Sequence, residues 1–105
     1  MANTFKSYLA SSVTTQTSII TAAANTQTTL IGLSAANTTT GAGSVTVVLT
    51  RSSTEYHVIK NAVVPANDSL VLYGGDQKLV LQAGDILKVT STAAVDVIAS
   101  VLEVN

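Results

Sequence analysis

The sequence has no cysteine, no tryptophan, a single histidine and a single proline, and only three tyrosines and one phenylalanine. Without cysteine, neither a disulfide framework nor a thiolate metal site is available. His57 is the only imidazole, and one imidazole does not make a zinc or copper site. No run approaches the roughly 18 apolar residues of a membrane span, and the opening MANTFKSYLASS lacks the basic and apolar regions of a signal peptide. A soluble, unexported protein is therefore expected. Charge is scarce as well: 10% of residues are charged, against about 25% in an ordinary soluble domain. Lys6, Arg51, Lys60, Lys78 and Lys88 are scattered, so the phosphate-neutralising stripe of a nucleic-acid binder is missing.

What stands in place of charge is Thr, Ser, Asn and Ala, with a positive mean hydropathy of +0.44. Such residues fit a pleated surface and give little of the repulsion that keeps molecules apart. The composition points to a protein that works packed in an assembly; the alternative is a neutral soluble domain. At 105 residues the chain is expected to form one domain.

The stretch Leu70–Val89 carries the plainest geometry. Leu70–Tyr73, Lys78–Leu81 and Ile86–Val89 are short branched and aromatic runs bounded by glycines. Gly74-Gly75 fits a two-residue hairpin loop, and Gln82-Ala83-Gly84-Asp85 fits a type II turn with Gly84 at the positive-φ position. The three runs are expected to form a β-meander. Parity sends Leu70, Leu72, Leu79, Leu81, Leu87 and Val89 inward, with Lys78 and Lys88 towards the other face.

Elsewhere, residues 1–8 are expected as an arm anchored by Phe5 and Tyr8, overlapping a first strand over Ser7–Val13. Further strands are expected at Thr17–Thr21, Thr28–Asn37, Ser44–Arg51, Glu55–Val64 and from Val95 onward, with turns at Ala24-Asn25-Thr26, Arg51–Thr54 and Val64–Asp68. Asn37–Gly43 is an exposed connection. In the last strand Val95, Val97, Ala99 and Val101 face the core, which leaves Ile98 and Leu102 on the outer side, where another sheet or subunit would cover them. Eight or nine short strands without helical periodicity predict an all-β chain: a compact antiparallel β-sandwich, jelly-roll-like, with a small barrel as the alternative.

Chemistry finds little footing. His57 with Ser52 or Ser53 lacks the G-x-S-x-G elbow of a hydrolase, and Gly41-Ala42-Gly43-Ser44 runs into a strand with no phosphate-cradling helix behind it. Asp68, Asp76 and Asp85 sit in turns, where a carboxylate accepts backbone N–H bonds. Carbohydrate platforms usually need exposed aromatics, and only Tyr56 and Tyr73 are candidates. No catalytic residue, metal site or cofactor is expected.

Four pieces, Asn37-Thr38-Thr39, the Lys60-Asn61-Ala62 to Pro65-Ala66 segment, Gly75-Asp76-Gln77-Lys78 and Ala83-Gly84-Asp85, lie in a region from about Thr28 to Asn105 that resembles small virion structural proteins of tailed bacteriophages of the marine and cyanobacterial type. The resemblance implies a component of the particle and carries over no catalytic residue. The expectation is a capsid decoration or cement protein, a homo-oligomer and specifically a trimer, bound to the major capsid protein or other virion proteins, located in the virion and assembled in the host cytoplasm. A neck or tail component is the alternative, and a receptor- or glycan-binding module a further one. Phe5, Tyr8, Ile98 and Leu102 are the candidate interface residues.

Overall fold

The computed structural model describes residues 3–73 and 79–104. Nine strands follow one another without a helix among the described residues: β1 (Asn3–Val13), β2 (Thr17–Thr21), β3 (Gln27–Asn37), β4 (Gly43–Arg51), β5 (Thr54–Val64), β6 (Ser69–Tyr73), β7 (Leu79–Leu81), β8 (Ile86–Ser91) and β9 (Val95–Val104). Runs such as SVTVVLT in β4 and ILKVT in β8 are dominated by β-branched side chains, whose stiff χ1 suits a pleated surface. All pairings are antiparallel, in two sheets. Sheet A has the order β1-β9-β3-β6, with β7 also on β3, and sheet B the order β2-β8-β4-β5.

The nesting of these pairs defines the fold. β4 pairs with β5, β3 with β6 and β7, β2 with β8, and β1 with β9. The chain is thus one long hairpin rolled up so that successive pairs alternate between sheets, a jelly-roll sandwich as expected. Its tip is Ser52-Ser53, both at positive φ (52° and 64°), closing Arg51 against Thr54. Positive φ at both central residues is the type I′ turn, whose twist matches that of paired strands.

The expected meander is not formed. β6 pairs antiparallel with β3 over Leu33–Ala36 and β7 with β3 over Thr28–Leu30, so both run the same way along one edge, while β8 belongs to the other sheet. The Gly74-Gly75 hairpin turn and Lys78 lie outside the described residues, but the flanking strands do not reverse. The second turn is the expected type II: Asp85 N–H donates to the Gln82 carbonyl at 2.9 Å and Gly84 has φ 88°. It serves as an arch, carrying the chain from β7 in sheet A to β8 in sheet B. A type II turn would splay a tight hairpin, which suits it to this crossing. Its backbone is tied to the end of β2 by Gly84 N–H to Ala22 O and Ala22 N–H to Asp85 O, both 2.9 Å.

The inward parity of the sequence holds across the arch. Leu81, Leu87, Val89, Val97 and Val101 are buried with Leu72 in one continuous core, and Leu70 and Leu79 pack against it. In β3 strict alternation would group Ile31 with Leu33 and Ala35, but Ile31 is only half-buried. A register shift between Leu30 and Gly32 puts Thr28 and Leu30 inward on one side, and Leu33, Ala35 and Asn37 on the other. An extra residue on one strand reverses parity beyond it. Gly43 is buried where β4 begins, and a Cβ there would lie 2.6 Å from that of Ala93, so the backbone approach requires glycine.

The strand β1 begins at Asn3, not Ser7. Residues 3–8, expected as an arm, are paired in continuous register with β9, Asn3 opposite Val104 through Ala10 opposite Val97. A strand this far into the register is part of sheet A, because the backbone groups facing β9 are satisfied there.

Candidate functional site

Cross-strand register assembles the outer face of sheet A into two rows. Leu9, Ile98, Ser34 and Val71 stand side by side across β1, β9, β3 and β6; Phe5, Leu102, Thr29 and Val80 do so across β1, β9, β3 and β7. Ser7 and Ser100 lie between the rows. Phe5 is 75% exposed, Leu9 71%, Val71 72% and Ile98 50%. Single exposed apolar residues are ordinary; here Phe5 is paired directly with Leu102 and Leu9 with Ile98, with Val80 and Val71 one strand further on beyond Thr29 and Ser34, a grouping that makes this face a candidate interaction surface.

Of the four residues singled out from sequence, Phe5, Ile98 and Leu102 are brought together on this face, with Phe5 directly opposite Leu102. Tyr8 is not among them. It has the opposite parity, opposite Ala99, packs against the core, and its hydroxyl donates to Glu103 Oε2. That bond to a carboxylate, then partial burial, push the Tyr8 phenol up to about 12. Glu103 is held below the usual carboxylate range, first by Tyr8 and also by Lys6, whose Nζ is 3.3 Å away. Leu9, Val71 and Val80 were missed. Their signal was available: Phe5, Ser7 and Leu9 share a parity, and the runs LVLY and LVL contain no polar alternate, as strands with two apolar faces require.

The polar groups singled out from sequence hold the scaffold. Asp85 is 2% exposed and accepts from Arg51 Nε at 2.9 Å and Nη2 at 2.6 Å, and from the Gln82 backbone N–H at 2.8 Å. The Arg51 guanidinium holds its carboxyl well below the ordinary aspartate value, against the opposing effect of burial. This pair ties the end of β4 to the inter-sheet arch, and no sequence spacing announced it. Asp68 Oδ1 accepts from Ser69 N–H at 2.8 Å, the expected turn role; Asp76 lies outside the described residues.

Asn37 anchors the low-complexity loop. Its Nδ2 donates to the carbonyls of Gly41 (2.9 Å) and Val64 (3.2 Å), and its Oδ1 accepts from Thr39 N–H at 2.9 Å and Thr39 Oγ1 at 2.7 Å. His57 is exposed on β5 opposite Val48, and Ser52 and Ser53 form the hairpin tip. Among the described residues no three His, Cys, Asp or Glu side chains cluster to hold a metal ion, and no helix is long and apolar enough to cross a membrane.

No protein-family model matches this chain, and no curated protein does. Among solved structures the fold is similar to that of a Bacillus endospore appendage, from a family of disulfide-linked pili. The identity is 16% and the TM-score 0.56, over 97% of this chain and 84% of that one.

Proposed function

We propose that this protein is a non-enzymatic structural subunit that adds to a larger particle through the outer face of sheet A, and that the particle is a tailed-phage head on which it acts as a decoration or cement protein. The single observation that carries the reading is the pair of apolar rows, Leu9-Ile98-Val71 and Phe5-Leu102-Val80, interrupted only by Ser and Thr. Such a face loses little on desolvation and gains from burying its apolar area. Modest affinity per copy suffices on a lattice, where neighbouring contacts act at high effective concentration. The phage assignment draws on the sequence resemblance of the region from Thr28 onward.

A second reading, a subunit of a self-polymerising fibre, is favoured by the likeness to a pilus protein. This chain has no cysteine, so any such fibre would be held without the disulfides of that family. The deciding experiment adds purified protein to heads lacking the native copy and measures occupancy, copy number, and resistance to heat and osmotic shock. Hundreds of copies and a more robust head are the expected result. Six or twelve copies would move the assignment to the neck or tail, and absence of binding with growth of filaments would move it to the fibre.

A further inference from the structure

Among the described residues the two sheets have four edges without a further strand, and three of them are defended. β5 carries Glu55, His57 and Lys60, shifts register twice against β4 and ends before Pro65. β2 has only five residues, with a register shift in the middle. The third edge is divided between β6, five residues, and β7, three residues. Charges, bulges, proline and brevity are the devices that stop an edge from pairing with another chain.

β1 has few of them. Among the described residues it pairs only with β9, and from Asn3 to Ala10 its register is unbroken; the irregularity comes later, between Ala10 and Val13. Its one charge, Lys6, has inward parity and is held by Glu103 at 3.3 Å. Half of its backbone N–H and C=O groups therefore face away from the sheet, along a strand whose one charge, Lys6, is paired with Glu103 and needs only to be kept from its own copy by the register.

We propose that β1 pairs with β1 of a second copy, antiparallel about a two-fold axis at Ser7, joining the two sheets A into one continuous sheet. The self-complementary pattern selects both occupant and register. In a continuous antiparallel sheet, residues directly opposite point to the same side. An axis at Lys6 would set Lys6 against Lys6 of the second copy, and like charges directly opposite are destabilising. An axis at Tyr8 would set Phe5 against Ser11 and bring Thr4 to Ser12, the positive-φ residue of the irregular segment. An axis at Ser7 sets Phe5 against Leu9 twice and Lys6 against Tyr8 twice.

The same axis makes the surface continuous. The Leu9-Ile98 row of one copy runs on into the Phe5-Leu102 row of the other. A closed two-fold pairing of one patch with itself also ends the association at two copies through this edge. The inference shares the outer face of sheet A with the proposed function and needs no particle.

Sedimentation of the full-length protein over a range of concentrations should show a monomer–dimer equilibrium. Ser7→Lys, at an exposed site, should leave the melting temperature in place and raise the dimer dissociation constant at least tenfold. Because the chain lacks cysteine, single-cysteine variants can locate the contact. Ser7→Cys places two Cβ atoms about 5 Å apart across the axis, within reach of a disulfide after small adjustment. Ser100→Cys, in the same row and on the same face, places them about 14 Å apart, three strand spacings. Under mild oxidation the first should cross-link at least tenfold faster. A monomer at every concentration, an unchanged dimer in Ser7→Lys, or equal cross-linking at both sites overturns the proposal. Dimers that do not occupy heads would count against the decoration role and leave the pairing standing.

Discussion

The outer faces of the two sheets are built from the same strand chemistry and differ in what they carry. On sheet A, five large apolar side chains stand well exposed: Phe5, Leu9, Val71, Val80 and Ile98. Among the described residues the only charge with outward parity there is Asp96, whose Oδ1 accepts from Ser12 N–H at 2.9 Å. On sheet B the corresponding row is Ser18, Lys88, Val48 and His57, with Glu55 opposite Thr50 and Asn61 bonded to Thr46. Val48 is buried there outside the main core cluster, with Lys88 and His57 opposite it on the flanking strands. Long polar side chains can cover apolar surface while keeping their heads in water. Apart from Val63 and Tyr56, exposed on the edge strand β5, sheet B is finished as a solvated surface, whereas sheet A presents what a neighbour would bury.

Adjacent residues on β7 provide the strongest way to break this contrast. Leu81 points into the core and Val80 onto the outer face. Leu81→Ala should lower stability by about 2–5 kcal/mol, the range for deleting a buried leucine, while Val80→Thr should shift it by less than about 0.5 kcal/mol and weaken assembly instead. Denaturant melts of both variants, with the occupancy assay, check this; equal stability losses would mean that the face is part of the folded interior.

A comparison of like with like comes next. Ile98→Lys with Val71→Lys on sheet A should reduce occupancy at least tenfold, and Val63→Lys on β5, at a residue that is also exposed, should not. If both reduce it equally, overall charge rather than the face controls attachment.

Two smaller effects separate the scaffold from the surface. Asp85 has a folded pKa below its unfolded value, so its contribution is present above the ordinary aspartate value near about 4 and is lost as pH falls through the depressed one. Asp85→Asn should therefore melt at a lower temperature than wild type at neutral pH, and the gap should close as the pH drops below about 4. A gap constant with pH would remove the charge of Asp85 from the account. The mildest test concerns Tyr8, held up to about 12 chiefly by its bond to Glu103. Absorbance titration of Glu103→Gln should bring this phenol back towards its ordinary 10.0; no movement would mean that burial alone holds it.

Period-two alternation made the core legible before any coordinates, and Leu72, Leu81, Val89, Val97 and Val101 are all buried. Alternation says which side a residue faces, and nothing about which strand lies next to it. The meander failed for that reason: Gly84 supplied the expected turn, but the turn crosses between sheets, and the tight hairpin seen among the described residues closes on Ser52-Ser53, residues with no strong positive-φ preference. Ile98 and Leu102 are legible on the outer face because parity along a strand suffices for them, whereas Phe5 is expected only as an anchor of an arm. Tyr8 is misplaced because the expected arm over residues 1–8 overlaps the strand expected from Ser7 by two residues only, and an arm has no parity to set Tyr8 apart from Phe5. The Arg51–Asp85 pair spans 34 positions, and nothing local encodes such a meeting.

The nesting of the roll sets an order in time. β9 lies between β1 and β3 in sheet A, yet it is the last of the nine strands to be synthesised. Until it arrives, β1 has no partner and neither apolar row exists, because Ile98 and Leu102 are the middle of each. Sheet B, by contrast, has all four of its strands once β8 is made. The outer face of sheet A therefore forms only once β9 has been made, and a chain cut before Val95 would have sheet B but neither apolar row.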